Sequence, residues 1–339
     1  MKLKPTLTAL ALALAASGAF AQLVVGVSYD TFQEERWKRD EAAMKSEIEK
    51  GGGKYIMSDA GESAEKQLAD IDGLIAKGAK VLVILAKDKD AIMPAINKAA
   101  QLKIPVISYD RLFEAPGVTY MTFDNKEVGR MTARAILAVK PKGNFAIIKG
   151  DPGDSNANFL REGQAEVLAD AIKKGDVKIV GEEYTPNWKP ENAQKNMEQI
   201  LTKNGNKIDA VIAQNDGMAG GVVAALASKG LQNIPVSGQD GDFAALNRVA
   251  LGTQTVSVWK NSTDLARAAG KAALELGAGK PVSGAADWAN GPKKVTMKSI
   301  FLKPIPITRD NLDVVLKAGH IKKDELCKGV KDANVAACK

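Results

Sequence analysis

A short buried strand followed by an amphipathic helix recurs along this chain, and that alternation restricts its fold more than any other feature. Residues 23–28, 54–58, 80–86 and 104–108 read as strands. Helical patterns fill 34–50, 62–77 and 90–102 between them. The first of these helices stops at Gly51-Gly52-Gly53, and the second ends at Gly78, a residue suited to a left-handed C-cap. The pattern then restarts, with strands at 120–123, 144–149, 177–184, 208–213, 234–238 and 253–259. Helices are predicted from Asp124-Asn125 to 139 and over 158–174, 191–203, 217–229 and 263–276. Strands this short and continuously apolar are buried on both faces, so each unit is a parallel sheet with helices on either side. The 339 residues are about right for two such domains at roughly 150 residues each.

The ends of the chain set its compartment. Lys2 and Lys4 precede an apolar run from 7 to 16, and Ala19-Phe20-Ala21 forms a small-x-small cleavage site. Residues 1–21 are therefore read as a Sec-type signal peptide, with an apolar run too short to span a membrane. The 47 basic and 40 acidic residues give a net charge of +7, which falls to +5 when the leader's two lysines leave. An exported chain has little use for a nucleic-acid partner or a cytosolic nucleotide cofactor, so the excess reads as a solvated surface. An oxidising compartment favours pairing Cys327 with Cys338. One histidine and two cysteines exclude a His-rich metal site, a four-thiolate zinc site and an iron–sulfur cluster, and any His relay would have to use His320.

In open α/β sheets, ligands bind beyond the carboxyl ends of the strands. Those positions carry Glu35-Arg36-Trp37, Tyr109-Asp110-Arg111, Asp154-Ser155-Asn156, Asn187-Trp188, Asn215-Asp216, Gln239-Asp240 and Trp259-Lys260. Arginine and lysine donate hydrogen bonds, aspartate accepts them and asparagine does both, which matches the hydroxyls of a sugar. Indole suits its C–H faces, so Trp37 and Trp188 could sandwich a ring. Each residue also has a plain structural reading. A tryptophan after a strand packs a core, Asn125 and Asp216 suit helix N-caps, and Arg111 can pair with Asp110. The functional reading draws its weight from the coincidence across seven strand ends.

In order along the chain, Glu35-Arg36-Trp37, Tyr109-Asp110-Arg111, Phe123-Asp124-Asn125, Asp154 to Ala157, Trp188 to Asn192, Asn215-Asp216, Ser237 to Asp240 and Gly252 to Lys260 resemble the D-xylose-binding group of the ribose/galactose-type (class I) periplasmic binding proteins of ABC transporters. The resemblance runs from about residue 24 to 319, and departs from that group at Ser155, at Gly217-Met218 and in the cysteine-bearing tail. It implies two Rossmann-like lobes joined by three hinge strands and closing over one sugar. It assigns 22–122 plus about 255–290 to the N-terminal lobe, 123–254 plus about 291–310 to the C-terminal lobe, and 311–339 to a tail. Carried over residue by residue, Arg36, Trp37 and Arg111 come from the first lobe, with Asp110 as a further contact or as the group that orients Arg111. Asp154, Asn156, Trp188, Asn215 and Asp240 come from the second lobe, and Lys260 lies near a hinge return.

The implied function is capture of a monosaccharide, D-xylose first, by a periplasmic monomer that passes it to an ABC permease, with no cofactor and no turnover. Glucose, galactose and arabinose binders share the Arg-Trp and Gln-Asp motifs and are the near alternatives. A chemoreceptor partner would differ only in what reads the closed form. An exported carbohydrate hydrolase could pose Asp154 and Asp240 as a carboxylate pair, but nothing in the sequence marks one of them as the acid. A transcriptional regulator would need an N-terminal helix-turn-helix where the leader lies, and Asp240-Gly241-Asp242 lacks calcium-loop spacing.

Overall fold

The computed structural model describes residues 22–339; the expected leader, 1–21, lies outside them. The chain begins with β1 (Val24–Tyr29), α1 (Arg36–Lys50), β2 (Lys54–Asp59), α2 (Ala64–Ala76), β3 (Val81–Ile84), α3 (Met93–Gln101), β4 (Val106–Tyr109) and β5 (Thr119–Phe123). It continues with α4 (Asn125–Val139), β6 (Gly143–Lys149), α5 (Ser155–Lys173), β7 (Val177–Tyr184), α6 (Pro190–Lys203), β8 (Ala210–Ala213), α7 (Asp216–Ala227), β9 (Val236–Asp240), α8 (Phe243–Leu251) and β10 (Val256–Trp259). Last come α9 (Ser262–Gly277), β11 (Ala286–Trp288), β12 (Met297–Leu302), β13 (Ile305–Ile307), α10 (Asp313–Lys317) and α11 (Lys323–Leu326).

Two sheets result, ordered β11-β12-β5-β4-β3-β1-β2 and β13-β10-β9-β8-β6-β7. Pairing is parallel throughout except at two edges, where β11 runs against β12 and β13 against β10. Each sheet is covered on both faces. One face of the first buries Val27, Met44 and Ile107 against α9, and the other buries Ile71, Leu82 and Ile96. The second sheet does the same through Ile148, Leu160 and Val222 on one face and Phe145, Ile147 and Leu168 on the other.

The chain crosses between lobes three times: after β5, after β10 and between β12 and β13. The positions of the last two differ from those the resemblance implied. Residues 256–259 were assigned to the first lobe, but β10 is buried along its whole length and continues the second sheet, with Val256 opposite Ser237. Residues 297–302 were assigned to the second lobe, but β12 pairs with β5 in the first, with Ser299 opposite Tyr120. The last crossing falls at Lys303-Pro304, where proline has no N–H to extend the ladder. The tail is part of the second lobe: Leu312, Val315, Ile321, Leu326 and Val335 pack against Leu246, Val249 and Trp259. Cys327 and Cys338 are bonded, with their Cα atoms 5.5 Å apart.

Candidate functional site

Parallel strands deliver their carboxyl ends, and the N-termini of the helices that follow, to the same edge of each sheet. Here those two edges face each other. Arg36, Trp37, Asp110, Arg111, Asp154, Asn156, Trp188, Asn215, Asp240 and Lys260 line one small cavity between the lobes, so every residue expected at the site from the sequence is there. Glu34 and Gln239 complete the lining. A larger hollow, of about 540 Å³, lies by the strand crossings among Tyr120, Phe159, Trp288 and Phe301. Its cations are already paired, Lys126 with Glu166 and Arg130 with Glu127 and Glu166.

Two buried guanidinium groups organise the site. Arg36 sits on the first turn of α1, with Nη2 2.9 Å from Asp110 Oδ2 and 3.3 Å from Asp40 Oδ2, and Nη1 3.4 Å from Asp240 Oδ1. Its plane lies over the Trp37 ring at 4.3 Å. Arg111 reaches Asp30 at 2.6 Å, Glu34 at 3.4 Å and, across the cleft, Asp154 at 3.1 Å. Lys260 Nζ joins Asp240 at 2.9 Å. Asn156 Nδ2 donates across the cleft to Asp110, to its carbonyl at 3.2 Å and its Oδ1 at 3.3 Å, while Asn156 Oδ1 accepts from Asn125 at 2.8 Å. Three polar contacts thus bridge the lobes through the site, and the lobes are closed.

The electrostatics follow from burial. Desolvation pushes the Asp154 carboxyl up to about 6, against the pull of Arg111 and the Asn156 N–H. Burial raises Glu34 and Asp40 in the same way, against Arg111 and Arg36 respectively. Burial also acts on Asp110, but Arg36, Lys260 and Arg111 outweigh it and hold that carboxyl below its ordinary value. The cations are matched by carboxylates, and the walls offer fixed donors and acceptors to a neutral polyol. A free anion would face Asp110, Asp154 and Asp240 together. Trp188 Nε1 and Gln239 Oε1 are buried with no hydrogen-bond partner in the protein, one donor and one acceptor at the cavity wall.

Several side chains have both a structural and a cleft-facing role. Asp154 caps α5, accepting the Asn156 N–H at 2.9 Å, while its other oxygen faces Arg111. Asn215 caps α7 through the Met218 N–H at 2.8 Å, leaving its amide nitrogen for the cavity. The caps expected at Asn125 and Asp216 fall one residue earlier, on Asp124 and Asn215. Asn125 instead braces Asn156. Asp216, raised to about 7 by burial, accepts from Ser257, Gly241 N and Asp242 N, and so fixes the turn after Asp240. Asp110 and Asp240 hold positive φ angles of 61° and 101°, strain of the kind that collects at binding sites. His320 is no relay: its Nε2 lies 2.7 Å from the Gly241 carbonyl, between Phe243 and Trp259.

Glu34 and Gln239 were missed by the sequence reading, and each had a signal. Trp37 is buried and its indole N–H needs an acceptor; Glu34, one helical turn earlier, accepts it at 2.6 Å. Gln239 lies inside the Ser237–Asp240 run already singled out, on a strand buried along its whole length.

Comparison with known proteins agrees with this geometry. Residues 25–281 match the family model described as a periplasmic binding protein domain. The D-xylose-binding periplasmic protein of Escherichia coli is 37% identical over 332 residues, covering 96% of this chain and 100% of that protein. A multiple sugar-binding periplasmic receptor of Rhizobium radiobacter is 30% identical, covering 94% and 97%. Among solved structures, an ABC transporter solute-binding protein from Clostridium phytofermentans with bound β-D-glucose superposes with a TM-score of 0.80 at 28% identity, covering 89% of this chain and 99% of that one. These are binding proteins of transport rather than enzymes, and the family is periplasmic. The chain belongs to the periplasmic binding protein family, in the sugar-binding branch that shares this two-lobed, type I fold.

Proposed function

We propose that this protein captures a single monosaccharide, D-xylose, in the cleft between its lobes and carries it to an ABC permease in the membrane, after export through a signal peptide at residues 1–21. The observation that carries the reading is the convergence, between the lobes, of an indole from each lobe with buried, mutually neutralising donors and acceptors. In this reading Trp37 and Trp188 cover the ring faces. Arg36, Arg111, Asn156, Asn215 and Lys260 donate to hydroxyls, and Asp110, Asp154 and Asp240 accept from them.

The energetics allow it. Micromolar binding is about 8 kcal/mol. A pentose has roughly ten heavy atoms, and the best small ligands reach about 1.5 kcal/mol per atom, a ceiling near 15 kcal/mol. The open form admits sugar, and closure removes it from water and joins both lobes into one surface for the permease. D-xylose is favoured over a broader range by the higher identity to D-xylose-binding relatives than to multiple sugar-binding ones. Titration calorimetry against D-xylose, D-glucose, L-arabinose, D-galactose and D-ribose tests this. Tightest binding of D-xylose, with the sugar recovered unchanged, is expected. Tighter binding of glucose or galactose would move the ligand within the class, and no heat with any of the five would overturn the sugar reading.

A further inference from the structure

The turn that carries Trp188 is held by a residue outside the cavity and on the opposite lobe. Asn187 and Trp188 are consecutive non-glycine residues with left-handed φ angles of 58° and 57°. Such a pair is disfavoured by contact between Cβ and the backbone, so neighbouring contacts have to hold it. Within the second lobe, Asp151 Oδ2 accepts the Asn187 N–H at 2.6 Å. The turn's own backbone adds Trp188 N–H to the Thr185 carbonyl at 3.1 Å and Lys189 N–H to the Pro186 carbonyl at 3.4 Å, and further restraints cross the cleft. Glu62 lies in the β2–α2 loop of the first lobe, and its Oε2 receives Asn187 Nδ2 at 3.0 Å and Lys189 Nζ at 2.6 Å. Lys87, just after β3, reaches the same Asp151 carboxylate at 3.3 Å. From the first lobe, Glu62 therefore grips the segment on either side of its indole, and Lys87 holds the Asp151 carboxylate that braces it.

The grip is tied to the sugar site. The Glu62 N–H donates to the Asp30 carbonyl at 2.9 Å, and the Asp30 carboxylate holds Arg111 at 2.6 Å. The Glu62 and Lys189 side chains are only 19% and 30% exposed, so solvent screens the contact less than at an open surface. Neither residue lines the cavity. Because the partners sit on different lobes, these bonds exist only while the lobes are closed.

We propose that Glu62 is a positioning residue: on closure its carboxylate clamps the Asn187–Lys189 turn, sets Trp188 against the ligand and slows ligand release. The proposal rests on monosaccharide capture as read above. A contact made only after closure lowers the rate of leaving and not the rate of arrival, which is where affinities of related complexes usually differ.

The test is stopped-flow tryptophan fluorescence with whichever of D-xylose, D-glucose, L-arabinose, D-galactose and D-ribose the unaltered protein binds most tightly. Glu62→Ala is expected to release sugar about fivefold faster, with association within about twofold of the parent, as suits loss of a part-exposed ion pair and one hydrogen bond. The melting temperature of the sugar-free protein should not change, because the contact is not made in the open form. Glu62→Lys and Lys189→Glu should each speed release, and the double reversal should release more slowly than either alone. Release at the parent rate in Glu62→Ala would overturn the proposal. So would a sugar-free melting temperature that falls in step with affinity, which marks a merely structural role, or a double reversal that only adds the two single effects. A parent protein that binds none of the five sugars would overturn both the latch and the capture reading, an outcome distinct from a parent that binds and variants that do not differ from it.

Discussion

Trp188 keeps its place partly through the residue it lies against. A Cβ at Gly150 would overlap the indole ring, so only glycine lets the ring lie flat on the backbone there. Gly150→Ala should push Trp188 into the cavity and weaken sugar binding by about tenfold or more. Trp188→Ala should do at least as much by removing the ring face, and titration calorimetry on both variants checks this, with circular dichroism confirming an intact fold. Unchanged affinity in Trp188→Ala would make the indole simple core. Asp154 carries a different cost. Its carboxyl titrates near 6 in the folded protein, above the roughly 3.9 of an unfolded chain. The folded state therefore binds the extra proton between these values, and stability falls as pH rises from about 4 through 6. Sugar hydroxyls donate to the ionised form, so affinity should decline as pH drops below 6, by at most about tenfold per unit for one proton. Asp154→Asn should flatten that profile, weaken binding at pH 7 and leave the sugar-free melting temperature unchanged or higher. A profile of parental shape in the variant would assign the titration elsewhere. The double duty of Asp154 and Asn215 explains why capping and binding looked like rival readings of the sequence: the start of a helix after a parallel strand is also the cleft wall.

At the scale of elements, strands and helices were legible because their apolar runs and glycine stops are local. Lobe membership was legible only up to the first crossing. Whether 256–259 extends one sheet or opens the other depends on partners nearly twenty residues away in β9, and for 297–302 on β5, far earlier in the chain. Periodicity carries no such information. The close approach of helices was equally hidden. A Cβ on Gly163 of α5 would strike the Lys126 carbonyl of α4, one on Gly129 would strike the Leu160 carbonyl, and Gly221 of α7 stands in the same relation to the Pro190 carbonyl. Backbone cannot yield as a side-chain tip can. Gly163→Ala should destabilise the second lobe by about 1–3 kcal/mol, a drop of several degrees in melting temperature by calorimetry. A variant that melts with the parent would mean that α4 and α5 separate at little cost.

For the whole molecule, the composition that first served to exclude metal and cofactor chemistry accords with a protein that meets its ligand with arginine, carboxylate, amide and indole. The Cys327–Cys338 bond closes a short loop in a tail packed on α8, β10 and β13 of the second lobe, and loop closure of this length is worth about 3 kcal/mol at most. Reduction should lower the melting temperature and leave sugar affinity within about twofold, since no tail residue lines the cavity. A large loss of affinity would place the tail in contact with the cleft through the β10–α8 region it covers.

The order in which the chain crosses between lobes has a consequence for how the molecule is assembled. Helices α4–α8 and the parallel strands β6–β10 of the second lobe run without interruption from residue 125 to 259, so its nucleus is available as one stretch before β13 and the tail join it. The first lobe starts at residue 24 but lacks the α9 face and the β12 strand until residue 302 has been made. The first lobe, begun first, thus waits until residue 302 for its last strand, long after the second lobe's nucleus is in hand, and the second lobe gains its β13 edge and packed tail only after that, against the usual N-to-C order of domain folding. In pulsed hydrogen exchange during refolding, amides of β6, β8 and β9 should gain protection before those of β1 and β3. The part of the molecule synthesised first would then wait, unfinished, for a strand and a helix from the far end of its own chain.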